Sequence, residues 1–102
     1  MTLNEYQGIS QRTSGTPLEC SLLGLAGESG EVCDMLKKVL YHKHLLNLEL
    51  LTKELGDVLW YIADIATKHQ ITLDDVAQVN IKKLQARYPN GFNTKRSINR
   101  DA

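Results

Sequence analysis

The sequence predicts an all-α protein, a four-helix bundle with a central antiparallel helix hairpin, assembled as a homo-oligomer. Two long segments, running from about Pro17 to Tyr41 and from about Asn47 to His69, repeat apolar residues at i, i+3, i+4 and i+7. That is the spacing of a helix with one buried stripe. Helix start signals precede three of the expected helices. No stretch alternates apolar and polar residues as a half-buried strand does.

Thr2 and Glu5 form a capping box and open a short helix that ends near Arg12. Thr13-Ser14-Gly15 is a loop. Thr16-Pro17-Leu18-Glu19 reads as a second capping box, with Pro17 at the first helical position, where its missing N–H costs nothing. The second helix buries Leu22, Leu25, Ala26, Val32, Cys33, Leu36, Val39 and Leu40, and ends near Tyr41. His42 to Leu46 forms the turn. The third helix runs from Asn47 to His69 on a stripe of Leu51, Leu55, Val58, Leu59, Ile62, Ile65 and Ala66. Thr72 with Asp75 caps the fourth, which reaches Arg87 before Tyr88-Pro89-Asn90-Gly91 breaks it. Residues 1–92 are read as one helical domain and 93–102 as a basic C-terminal tail.

Composition narrows the class. A chain of 102 residues is one domain, and alone it buries only a modest share of its surface, so pairing with copies of itself is expected. Twelve basic residues balance twelve acidic ones, so net charge gives no reason to expect nucleic acid. The basic residues concentrate late, at Lys82, Lys83, Arg87, Lys95, Arg96 and Arg100, whereas carboxylates gather on the two central helices. Cys20 and Cys33 form no CxxC motif and lie on one expected helix, roughly 20 Å apart at 1.5 Å per residue. They read as reduced thiols. No signal peptide opens the chain and no apolar run of about 18 residues spans a membrane, so a cytoplasmic protein is expected.

Each residue turns a helix by about 100°. Glu28 and Glu31 therefore lie on the flank of the second helix, roughly 90° and 150° from the stripe centre. Glu54 and Asp57 lie at roughly 80° and 140° on the third. In an antiparallel hairpin, residues that face each other share one index sum. Glu28 with Asp57 and Glu31 with Glu54 share it, and its midpoint falls at the expected turn. A single Glu-x-x-Glu is ordinarily a solvated face, but two matched in height and angle bring four carboxylates together. Such a group repels itself unless a divalent cation sits among it. The donors are all hard oxygens, and no His follows at i+3 as in di-iron bundles. The ligand set suits Mg²⁺, with Mn²⁺ as a possible substitute.

Gly24, Gly27, Gly30 and Gly56 stand inside helices, where each costs about 1 kcal/mol against Ala. They leave room either for a metal and its ligand or for close helix packing. Asn80, Lys83 and Arg87 form one polar stripe on the fourth helix, with donors and charge for phosphate oxygens. Trp60, Tyr61 and Tyr88 are able to stack on a base.

The segments GLAGESGEVCDMLKK, ELGDVLWYIADIA and NIKKLQARYPNGF resemble the MazG-like nucleotide pyrophosphohydrolases of the all-α NTP pyrophosphatase superfamily. The resemblance covers about residues 18–92. It implies an enzyme, a MazG-like bundle that hydrolyses nucleoside or deoxynucleoside triphosphates to the monophosphate and pyrophosphate. It implies Glu28, Glu31, Glu54 and Asp57 as metal ligands, with Glu31 and Glu28 catalytic. Lys38, Asn80, Lys83, Arg87 and Trp60 are the expected substrate-binding residues. A homodimer or a homotetramer built as a dimer of dimers is expected, with no nucleic-acid or membrane partner. The competing reading is a non-catalytic helical module that binds a nucleotide or a protein.

Overall fold

The computed structural model describes residues 1–100, so Asp101, the acidic residue of the tail, lies outside them. The described chain is helical: α1 (Leu3–Ser10), a 3₁₀ turn (Gln11–Thr13), α2 (Leu18–Tyr41), α3 (Leu48–Lys68), α4 (Leu73–Arg87) and α5 (Thr94–Ile98). Local chemistry explains most of these boundaries. Thr2 and Glu5 make both bonds of the capping box. Asn47 accepts from the Leu50 N–H and Thr72 from the Asp75 N–H, each satisfying a helix-start donor that has no partner within the helix.

Two local expectations change. Pro17 is the N-cap of α2, one residue outside the helix, and no side chain caps that end. Its extended ψ of 161° takes it out of the first turn, so the second capping box does not form. A fifth helix, α5, occupies the segment expected as tail, because the Asn93 side chain accepts from the Arg96 N–H and starts a new turn.

α2 packs mainly on α3, and α1 bridges α3 and α4. Ser21 meets Asp64, Gly24 lies under Tyr61, and Glu28 approaches Asp57, so the contacts run in opposite order along the two long helices. Gln7 is the latch of α1. Its amide donates to Thr67 Oγ1 and to the Ile71 carbonyl, both at 2.9 Å, and its oxygen accepts from the Leu73 N–H at 2.8 Å. Asn4 accepts from the Asp74 N–H, so α1 holds the start of α4 through two side chains.

The apolar core is small: Ala63, Ala66 and Leu73 are buried, with Tyr6 and Ile62 packed against them. The stripes are only half covered. Leu25, Val32 and Val39 are partly buried, but Leu22, Leu36, Leu40 and Leu55 are exposed, as are Val79, Ile81 and Leu84 on α4. The radius of gyration is 16.5 Å, against about 13 Å for a compact domain of this length. The accessible surface is 7841 Å², well above the roughly 5,800 Å² of a folded monomer of this mass.

Candidate functional site

Glu28 on α2 and Glu54 and Asp57 on α3 each turn one carboxylate oxygen toward the others, all within 4.8 Å. Three of the four acids expected as ligands therefore converge. Glu31, one turn further along α2, is exposed, and its oxygens stand outside this group. It remains close enough for its charge to act on Glu28. Partial desolvation first, then the charges of Asp57, Glu54 and Glu31 and a hydrogen bond with Glu54, push the Glu28 carboxyl above its ordinary value.

The sign of that shift sets a pH dependence. A raised folded-state value means the folded protein holds the proton more tightly than the unfolded chain. The metal-free protein will therefore lose stability as pH rises through the upper carboxylate range and Glu28 ionises. Melting curves across that range will show the fall, and saturating Mg²⁺ will flatten it. A melting temperature indifferent to Mg²⁺ at every pH would mean that the group holds no cation.

Glu28 and Asp57 line a depression of about 340 Å³ together with Trp60 and Tyr61. The two rings meet edge to face at 5.0 Å and 84°. Trp60 Nε1 donates to the Ser10 carbonyl and to Thr13 Oγ1, each at 3.0 Å, which ties the ring to the 3₁₀ turn. Tyr61 is placed by Gly24. A Cβ at position 24 would lie 2.2 Å from the tyrosine ring, so only glycine lets the ring cross α2 there. Gly27, Gly30 and Gly56 have open space instead. Close packing thus accounts for one helical glycine of the four, and the other three stand beside the carboxylates with room in front of them.

Gly24→Ala gains helix propensity of about 1 kcal/mol, yet it forces Tyr61 out of place at an overpacking cost of about 1–3 kcal/mol. The net expectation is a lower melting temperature and a disturbed tyrosine signal in near-ultraviolet circular dichroism. Unchanged values for both would show that the ring moves aside freely.

One turn further along the helices, Asp64 is 1% exposed and accepts from Ser14, Ser21 and the Lys68 ammonium. Burial opposes its charge, but these hydrogen bonds prevail and hold its carboxyl below the ordinary value. The i, i+4 spacing of Asp64 and Lys68 is visible in the sequence. The serines that join them come from other segments and are not.

The remaining expected substrate residues are dispersed. Lys38 pairs with Asp34 at 2.7 Å, and that bond raises its pKa. Asn80 is exposed on α4, away from the acid group's depression. Lys83 and Arg87 line a separate cavity with residues of α5. A single chain does not bring these cations to its own carboxylates.

An all-helical chain with oxygen-only donors meeting at one point defines the class, a helical protein suited to a hard divalent cation. The chain belongs to the MazG nucleotide pyrophosphohydrolase family: residues 17–92 match the MazG nucleotide pyrophosphohydrolase domain. It is also similar to the Gene 37 protein of Mycobacterium phage L5, at 38% identity over 90 residues that cover 84% of this chain and 79% of that protein. No solved structure gives a significant match. No described helix is long and apolar enough to cross a membrane.

Proposed function

We propose that the protein hydrolyses nucleoside or deoxynucleoside triphosphates to the monophosphate and pyrophosphate with Mg²⁺, for which Mn²⁺ substitutes. The observation that carries this reading is the approach of Glu28, Glu54 and Asp57 within 4.8 Å, in a chain whose family is defined by that activity. These three carboxylates would hold the cation; they stand on the two arms of an antiparallel hairpin, an arrangement supported by the reversed order of the α2 and α3 contacts. A bound Mg²⁺ supplies charge neutralisation at the phosphate oxygens and a more acidic water. Glu31 completes the acidic set from its exposed position and takes the proton of the attacking water, with Glu28 beside it. The α–β anhydride bond breaks and pyrophosphate leaves, while Asn80, Lys83 and Arg87 bind the phosphates. Trp60, with Tyr61, forms the wall against which a base stacks. Lys38 has donors left beside its Asp34 bond to offer the substrate.

The working form in this reading is a homodimer, or a homotetramer made of two such dimers. Two observations support it. The half-covered stripes leave leucines on α2 and α3 and valine, isoleucine and leucine on α4 facing outward, and the total accessible surface exceeds that of a folded monomer of this mass. The cations of α4 also stand apart from the carboxylates of their own chain, so a second copy is the source that brings them together. Sedimentation equilibrium will give a mass at least twice 11.5 kDa. A monomer at micromolar concentration would overturn the assembly.

The direct test incubates the purified protein with Mg²⁺ and a panel of ribo- and deoxynucleoside triphosphates and measures pyrophosphate release. Metal-dependent release establishes the reaction and ranks the substrates. No release from any nucleotide with either metal would leave the non-catalytic binding module as the reading.

A further inference from the structure

From Val76 to Arg100 the chain carries six basic residues and no acidic one. The break after α4 folds this stretch back on itself. Gly91 adopts φ of +89°, open to glycine at little cost, and its N–H donates to the Tyr88 carbonyl at 3.2 Å. The Tyr88 and Phe92 rings pack at 5.4 Å across the turn. Arg96 Nε then donates to the Arg87 carbonyl at 3.0 Å, satisfying an acceptor at the end of α4 and fixing α5 beside it.

Between α4 and α5 lies a cavity of about 690 Å³ lined by Lys83, Arg87, Lys95, Arg96, Asn99 and Arg100. None of Lys83, Arg87, Lys95 and Arg96 forms an ion pair with a described carboxylate. The backbone turn thus holds like charges around one space, an arrangement that favours an anion between them.

We propose that this groove binds a chain of two or three linked phosphates, with Lys95, Arg96 and Arg100 joining Lys83 and Arg87. The guanidinium forks of Arg87, Arg96 and Arg100 match pairs of phosphate oxygens, and the lysines add point charge. The volume falls in the range of small-ligand pockets, about 300–1,000 Å³. A nucleic-acid backbone fits less well. Its binders spread cations along a face and have pI values above about 9, whereas here the cations meet in one cavity and the pI is about 6.8. The inference rests on the pyrophosphohydrolase reading only for the natural source of the phosphates, the triphosphate tail of the substrate or the pyrophosphate product.

The test is calorimetric titration of the full chain in EDTA, which keeps the carboxylate group out of the measurement. The probes are inorganic pyrophosphate, orthophosphate and ATP. Pyrophosphate is expected to bind at least about 10-fold more tightly than orthophosphate, the equivalent of one added charge-assisted hydrogen bond. The double variant Lys95→Gln with Arg100→Gln leaves the Arg96–Arg87 bond in place and is expected to lose about 10-fold or more. Arg96→Lys keeps the charge without the fork and will fall between. Glu54→Gln will bind pyrophosphate as the parent does. ATP binding tighter than pyrophosphate marks a substrate subsite, and the reverse order marks a product site. Parent-like binding by the double variant, with helix content intact, overturns the proposal. A single-stranded oligonucleotide that displaces pyrophosphate and binds more tightly also overturns it, in favour of a nucleic-acid surface. Pyrophosphate binding without any nucleotide turnover keeps the groove and removes the reaction. Turnover without pyrophosphate binding removes the groove alone.

Discussion

Glu54→Gln will reduce Mg²⁺-dependent pyrophosphate release by more than about 100-fold, since losing a direct ligand exceeds the 10–100-fold typical of groups behind it. The argument is geometric. Glu54 stands with Glu28 and Asp57 inside a 4.8 Å group, and an amide there removes one charge and offers the cation an N–H donor. The same substitution has an opposite effect on the metal-free protein. Glu54 is one of the groups that pushes Glu28 upward by its charge and its hydrogen bond. Neutralising it relieves repulsion, so the variant will melt higher than the parent in EDTA and gain less from added Mg²⁺. Melting curves with and without the metal read both signs at once. A variant that retains turnover would remove Glu54 from the site. One that simply unfolds would show the acids to be structural, and the rise in EDTA separates that case from loss of a ligand.

Asp64→Ala will cost about 3 kcal/mol, the lower end of what breaking a buried ion pair costs. The lower end applies because Lys68 keeps 23% of its side chain exposed and turns to water when its partner is lost. Ser14 and Ser21 lose their acceptor as well, which removes the Ser14 tie to α3 and one of the two at Ser21, where the Lys68 ammonium still donates to the hydroxyl. Against a total stability of about 5–15 kcal/mol that loss is large. The pH profile identifies its origin. The Asp64 carboxyl is held below its ordinary value, so its contribution is complete above the ordinary carboxylate range and disappears as pH falls through the lowered value. Urea unfolding at neutral pH will show the full loss for the alanine variant, and that loss will shrink toward strongly acid pH. An equal difference at all pH values would assign the effect to packing rather than charge.

The parts of the fold that were legible in the sequence are those made by neighbours along the chain. The ends of α2 at Tyr41 and α4 at Arg87 fall where they were expected. The caps at Thr2 and Thr72 involve a side chain and an N–H three residues on, and the Asn47 cap, which was not expected from the sequence, is of the same kind. The capping box expected at Thr16 fails although its residue types are right, because Pro17 sits outside the helix in an extended conformation. α5 escaped notice because its start depends on one side chain, Asn93, after a break that reads as the end of order. Of the acids, Glu28, Glu54 and Asp57 were found by periodicity and register, and they meet. Glu31 has the same spacing from Glu28 as Asp57 from Glu54, yet it stays exposed outside the group, a difference of position that an angular estimate does not resolve.

By itself the sequence determined the helical class, the stripe each long helix presents, and the two segments on which the carboxylates meet. Those follow from a period of 3.6 residues and from hydrogen bonds within one turn. Only the tertiary structure decided which half of each stripe is covered, that Gly24 makes room for Tyr61, that Asp64 gathers donors from several segments, and that the cations of α4 face α5 rather than the acids of their own chain. Each of these depends on residues distant in sequence approaching within a few ångströms, and local periodicity says which way a side chain points but not what it meets.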